Sequence, residues 1–399
     1  MSAVAKLKAK LAAQKVGAGG TAEIVKHPAT EEQAGKLKLA GGVVAEVADA
    51  AKVAEGEQQE NRARAIKEAT ARLESECSEN QYGTFIALAR VGRRLESIEI
   101  DSEAGGDYIR LVMHGASKKM PPKGEIDNLR ATMRIASRQA GRRITVHQRI
   151  AMHDGVRIID LGDAEGQCIS VTADSWHVAP NDSVAFIRGR GYGALPIPIK
   201  VGSKRQAFKL LFDWLVSLGV AKARAGLVVV VLVTWLRTGN AYPLLLLFGP
   251  GGSGKTMTAR LILLLIDPTD SMKLPNIQTG SDNIGAAAQH RHVLSFDNES
   301  KLSAEEQDQF CTCATGGEIV CRRMYTNGDV AIMPIHRPVV ITALQPVVTR
   351  PDLMTRTIPV EFAQRETRKG EDEILAEFIE MRPALLGALC ELLVAGEQV

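Results

Sequence analysis

Aromatic residues make up only 4% of this 399-residue chain, and its formal net charge is just +3. The balance of 49 Lys and Arg against 46 Asp and Glu excludes binding of nucleic acid through bulk charge. Any such contact must come from a local basic surface. Six cysteines (Cys77, Cys168, Cys311, Cys313, Cys321 and Cys390) are too sparse for a disulfide scaffold and point to a reducing cytoplasm. The apolar runs at 225–236 and 261–266 fall short of the ~18–20 residues that a spanning helix needs, so both are expected in a buried core. Lys6, Lys8 and Lys10 interrupt any secretory apolar stretch at the start. What remains is 45% hydrophobic and 24% charged, the balance of an ordinary globular protein with room for two or three domains.

Three regions differ in texture. Residues 1–75 are rich in Ala, Lys, Glu and Gln and read as a flexible or partly helical tail, with helix formers concentrated over 57–76. Residues 76–200 read as an α+β domain. Two strands flank a turn at Gly92, Arg93 and Arg94, a helix covers 125–140, and short β-forming runs follow at 143–152, 156–162, 168–173 and 184–189. The prolines of ALPIPIK, 194–200, suit an extended interdomain connection. From 201 to 399, helical patterns near 204–218 and 225–237 lead into alternating strands and helices, the pattern of an α/β domain.

The strongest signal lies in that third region. A buried strand, Leu244–Phe248, runs into GPGGSGKT: Gly249, Pro250, Gly251, Gly252, Ser253, Gly254, Lys255 and Thr256. This matches G-x-x-x-x-G-K-[ST] in full, and an apolar helix follows. Glycines let backbone N–H groups close around a phosphate, and the helix N-terminus adds a positive dipole. Lys255 is expected to reach the β- and γ-phosphates of ATP, and the Thr256 hydroxyl to ligate Mg²⁺. A second acidic strand end is needed to hold that cation, and the run RHVLSFDNES supplies Asp297. Water must also be oriented for hydrolysis. Asn298 directly follows the aspartate and Glu299 comes next, and either could serve.

Asn327-Gly328 is the preferred dipeptide of a two-residue type I′ turn, which predicts a β-hairpin over 318–335. RPVVITAL then reads as a buried central strand ending in polar Thr342. The spacing of Cys311, Cys313 and Cys321 lacks the paired C-x-x-C of a zinc site, so buried thiols are expected.

The order and spacing of GPGGSGKT, LIDP (265–268), FDN (296–298), ATGG (314–317), RRMY (322–325), RPVVI (337–341), RPDLMTR (350–356) and RPALLGAL (382–389) carry a resemblance. From about 143 to 395 the chain resembles helicase-type ATPases of phages, plasmids and integrated elements, near the superfamily III branch of AAA+ proteins and often associated with primases. The resemblance implies a P-loop AAA+-like ATPase domain behind the smaller α+β domain, working as a ring, a probable hexamer. The hairpin would grip single-stranded DNA in the pore, with Arg322, Arg323 and the turn at Asn327 as candidate contacts. Arg356 would be an arginine finger reaching into a neighbouring subunit's ATP, with Arg350 second in line and Arg382 a lid residue. Other replication or mobile-element proteins are the implied partners. Thr342 departs from the Asn usual in relatives. Two other readings stay open: a signalling or assembly ATPase without DNA translocation, and a replication-initiator module that nucleotide only stabilises.

Overall fold

A computed structural model describes residues 56–189, 191–322, 330–364 and 369–397. The chain divides into two compact units, Met1–Ala65 and Ile66–Val399. In the first unit the described residues, 56–65, are helical. The second unit opens with α1 (66–76), which sequence reading placed at the end of the tail. Its Ala69 and Leu73 are buried, so this stretch belongs to a core rather than to a solvated arm.

β1 (Cys77–Asn80), β2 (Phe85–Val91) and β3 (Arg94–Glu99) form an antiparallel set, joined in parallel by β4 (Arg143–Ile144) in the order β3-β2-β1-β4. Two helices supply the rest of this small core: α2 (Glu103–Ser117) and α3 (Lys123–Gln139). In α3 the buried Ile126, Leu129 and Met133 recur at helical spacing on one face. Sequence reading assigns no element to the α2 stretch, whose Gly105-Gly106 in the first turn weakens the local helical signal. The pair has a packing reason: a Cβ on Gly105 would lie 2.3 Å from the Glu99 carbonyl oxygen. Ser102 caps the helix by accepting from Gly105 N–H.

Next come β5 (Val146–His147) with β10 (Ala185–Phe186), a short parallel pair, and an antiparallel meander of β6 (Ile150–His153), β7 (Val156–Asp160), β8 (Gln167–Val171) and β9 (Trp176–Pro180). β9 was missed in the sequence. Residues 194–200 then run without regular structure along α10 (Glu371–Glu397), where Ile199 N–H donates to Pro383 O at 3.0 Å.

The remaining strands form one parallel sheet: β11 (Leu244–Phe248), β12 (Leu294–Glu299), β15 (Val339–Ala343) and β16 (Thr357–Glu361), ordered β12-β15-β11-β16. β11 shows why a continuous apolar run forms a central strand. Leu245 and Leu247 face one hydrophobic cluster, Leu244 and Leu246 the other, and both faces are covered. The first cluster takes in α4 (Lys204–Ser217), α5 (Lys222–Trp235), α6 (Lys255–Ile266) and α10, together with Ile159, Ile169 and Trp176 of the meander. One core therefore continues across residue 200. The second cluster is covered by α7 (Ser281–His290) and α8 (Ala304–Thr315). Between α8 and β15 stands an antiparallel hairpin, β13 (Gly317–Arg322) with β14 (Val330–Ile335), where the sequence predicts one. Its tip lies outside the described residues. The short helix α9 (Pro351–Met354) precedes β16. Among the described residues no helix is long and apolar enough to cross a membrane.

Candidate functional site

Each piece of the site sits at the end of a buried strand, so the core positions it. Beyond Phe248 the chain turns through Gly249–Gly254 and enters α6 at Lys255. Gly249 needs its hydrogen: φ is +145°, and an added Cβ would lie 2.3 Å from Phe362 O. Gly252 and Gly254 are left-handed, at φ +72° and +99°. The result is a strand–loop–helix turn whose helix N-terminus opens into a cavity of about 420 Å³. It is lined by Gly252, Gly254, Lys255, Thr256, Met257 and, from just before and within the first turn of α10, Lys369, Glu371 and Ile374.

Lys255 is turned back onto its own loop. Its Nζ donates to Gly249 O and Pro250 O, each at 2.8 Å. Burial lowers its pKa from the usual lysine value, and the Asp297 carboxylate pulls the other way. Thr256 Oγ1 donates to Asp297 Oδ1 at 2.9 Å, and Thr342 Oγ1 donates to the same oxygen at 2.6 Å. Lys255, Thr256, Asp297 and Thr342 are thus brought together from three neighbouring parallel strands and the helix that follows one of them.

A bulge shapes the acidic end of β12. Phe296 lies opposite Ile341 and Glu299 opposite Ala343, so β12 carries an extra residue there. Asn298 takes it up in the left-handed region, at φ +63°, with its N–H donating to Thr342 Oγ1 at 2.8 Å. The Asn298 side chain is exposed and Glu299 is half-buried. Burial, then Glu306 and Asp297, hold the Glu299 carboxyl above the usual range. The two candidates that sequence left level are therefore in different situations: Asn298 serves the backbone, and Glu299 offers a carboxyl that takes a proton more readily than usual. Asn276, which sequence reading did not single out, receives Asp297 N–H on Oδ1 at 3.2 Å.

Other expected residues lie apart. The Arg356 carbonyl accepts from Leu244 N–H at 2.8 Å, at the start of β11, whereas the glycine loop follows its end. Its guanidinium pairs with Asp352. Arg350 pairs with Asp308 at 3.0 Å. Arg382, expected on a lid, instead donates to Ala194 O at 3.0 Å, and burial lowers its pKa to about 10. Arg322 ends β13, while Arg323 and Asn327 lie outside the described residues. Burial pushes Cys313 up to about 12 and Cys311 up to about 11, so both are neutral thiols. His292 is buried and shares a 2.6 Å hydrogen bond with Trp235 O.

Fold and site define a parallel α/β domain with a glycine-rich strand–loop–helix turn facing a polar strand end. Residues 212–398 of this domain match a family model described as the actinomycete integrative conjugative element replication protein, so this part of the chain is similar to a mobile-element replication protein. No curated protein matches the chain. Among solved structures, the A form apo structure of the NrS-1 C-terminal region is 11% identical at a TM-score of 0.43, covering 79% of this chain and 65% of that one. The chain therefore spans just under two thirds of that structure. An apo structure of the same NrS-1 region (305–718) gives 11% identity and a TM-score of 0.41, covering 81% and 70%. A JCV helicase with a bound acetamide compound gives 14% identity and a TM-score of 0.29, covering 46% and 53%.

Proposed function

We propose that the chain is an ATP-hydrolysing motor that moves single-stranded DNA during replication of a mobile element, assembled as a ring. The observation that carries the reading is the convergence of Lys255, Thr256, Asp297 and Thr342 at the mouth of the glycine loop. ATP phosphates would displace the Gly249 and Pro250 carbonyls from Lys255, whose ammonium is partly buried and therefore a strong partner for an anion.

The donor set fits a small, hard divalent cation: one carboxylate oxygen and one hydroxyl oxygen, 2.9 Å apart. Thr256 and Asp297 would hold Mg²⁺, whose charge would offset that of the phosphates when bound. Thr342 would fix the Asp297 carboxylate, and Glu299 would orient the attacking water and receive its proton. Arg356, too far along the sheet for its own subunit's loop, would act on ATP bound by a neighbour. The β13–β14 hairpin, which nucleotide binding does not need, would engage the DNA strand through Arg322, Arg323 and the turn at Asn327. Support for DNA rather than a protein substrate comes from the family match over 212–398.

The test is ATP turnover by wild type and Lys255→Ala, each with and without single-stranded DNA. DNA-stimulated turnover that falls roughly 100-fold or more in the variant is expected. Turnover indifferent to DNA would leave an ATPase and overturn the motor. Absence of turnover would overturn both.

A further inference from the structure

Asp267 ends α6, the helix that begins with Lys255 and Thr256. It is 1% exposed, and its Oδ2 accepts from His292 N–H at 2.8 Å and Val293 N–H at 3.2 Å, just before β12. Helix α6 and strand β12 are therefore tied at both ends: by Asp267 at one, and by Thr256 with Asp297 at the other. Twelve residues of helix span roughly 18 Å, a stiff rod between the two ties. Where Asp267 holds the start of β12 helps set where Asp297 meets Thr256.

The carboxylate's other oxygen belongs to a residue outside the family match. Arg149, 0% exposed, donates from Nε to Asp267 Oδ1 at 3.2 Å. Its other two guanidinium nitrogens are each bonded to a backbone carbonyl. Nη1 donates to Asp160 O at 3.2 Å, Nη2 to Gly193 O at 3.0 Å, and the plane lies 3.7 Å over the Tyr192 ring. Tyr192 in turn donates to Asp160 Oδ2 at 2.8 Å, and Arg188 pairs with Asp160 at 2.6 Å. Gly193 N–H also donates to Pro268 O at 3.0 Å. A buried charge this well satisfied does little for stability over an apolar filling, but it holds its partner in one geometry.

We propose that Arg149 is a positioning residue for the Thr256–Asp297 cation site, acting through Asp267. This rests on the reading of that site as a nucleotide–Mg²⁺ centre. A chain cut to the family-matched part would lack it, leaving the Asp267 carboxylate without its cationic partner.

The experiment uses the full chain with Arg149→Met, Arg149→Lys, Asp267→Asn and the R149M/D267N pair. It reads hydrogen exchange at the 292–299 amides, fluorescent ADP binding against Mg²⁺ concentration, and turnover. Arg149→Met and Asp267→Asn are each expected to speed exchange in that stretch and to raise the Mg²⁺ needed for half-maximal binding about 5-fold. Nucleotide affinity at saturating Mg²⁺ should change less than 2-fold. Arg149→Lys should fall between. The pair should recover, because an Asn carbonyl still accepts from His292 and Val293 and no lone charge remains.

Folded Arg149→Met or Arg149→Lys with wild-type exchange and Mg²⁺ response would overturn the proposal. If Arg149→Met does not fold, Arg149→Lys decides, and its failure to fold as well would make the residue purely structural. A wild type whose nucleotide binding ignores Mg²⁺ would overturn the functional reading, and this proposal with it.

Discussion

Gly387 offers a test in which two physical effects predict opposite signs. It lies inside α10, and replacing an interior helical glycine by alanine ordinarily gains about 1 kcal/mol. Here an added Cβ would stand 1.8 Å from Ile199 O, 2.7 Å from its carbonyl carbon and 3.2 Å from its nitrogen. All three are backbone atoms, so no rotamer can yield. Ordinary van der Waals separation would require the 194–200 segment to move off by roughly 1.5 Å. That movement breaks the Ile199 N–H bond to Pro383 O and the Arg382 bond to Ala194 O, both 3.0 Å. At about 1 kcal/mol for the first, and about 1.5–3 kcal/mol for the charged second, the loss exceeds the helical gain. Gly387→Ala is therefore expected to lose about 1.5–3 kcal/mol, lowering Tm by roughly 1–2 °C for each kcal/mol in a unit of this size. Urea denaturation gives the sign, and hydrogen exchange at Ile199 gives the cause. A variant as stable as wild type or more so, with Ile199 still protected, would refute the reasoning.

Two further outcomes follow from the displaced pKa values. Glu299 binds its proton more tightly when folded, so stability falls as pH rises from about 4.5 through its folded pKa. Glu299→Gln should melt higher than wild type at pH 7, match it near pH 4, and lose turnover; a lower melting point at pH 7 would argue against an uncomfortable carboxylate. His147 and His292 are held neutral, each lowered to about 4, chiefly by burial. Their unfolded forms protonate near 6.5, so stability present above that pH is lost as pH falls toward 4, by about 2 kcal/mol each at pH 5. Denaturant melts at pH 8 and pH 5, with NMR titration of both imidazoles, check this; rings that titrate near 6.5 would contradict it.

What could be read from sequence was what local chemistry determines. The strand before Gly249, the glycine loop, the helix from Lys255 and the hairpin flanking Asn327-Gly328 each carry their cause within about ten residues. Helix α2 escaped because Gly105-Gly106 weakens its local signal, and the reason for Gly105 is a carbonyl at the end of another element. Residues 194–200 looked like a free connection because prolines report extended backbone but not what it lies against. The different settings of Asn298 and Glu299 come from a bulge that exists only when β12 pairs with β15. Arg149 and Asp267 are 118 positions apart, and nothing near either residue announces the other.

The extra residue at Asn298 has a consequence for how relatives should be compared. Side chains along a strand change face at every step, so orientation depends on whether the count from a reference residue is odd or even. Between Phe296 and Glu299 this strand takes three steps while its neighbour takes two. An alignment that opens a single-residue gap there would equate carboxyls that face opposite ways, even with every letter matched. A deletion at that point would turn Glu299 to the opposite face of β12 without altering one acidic residue.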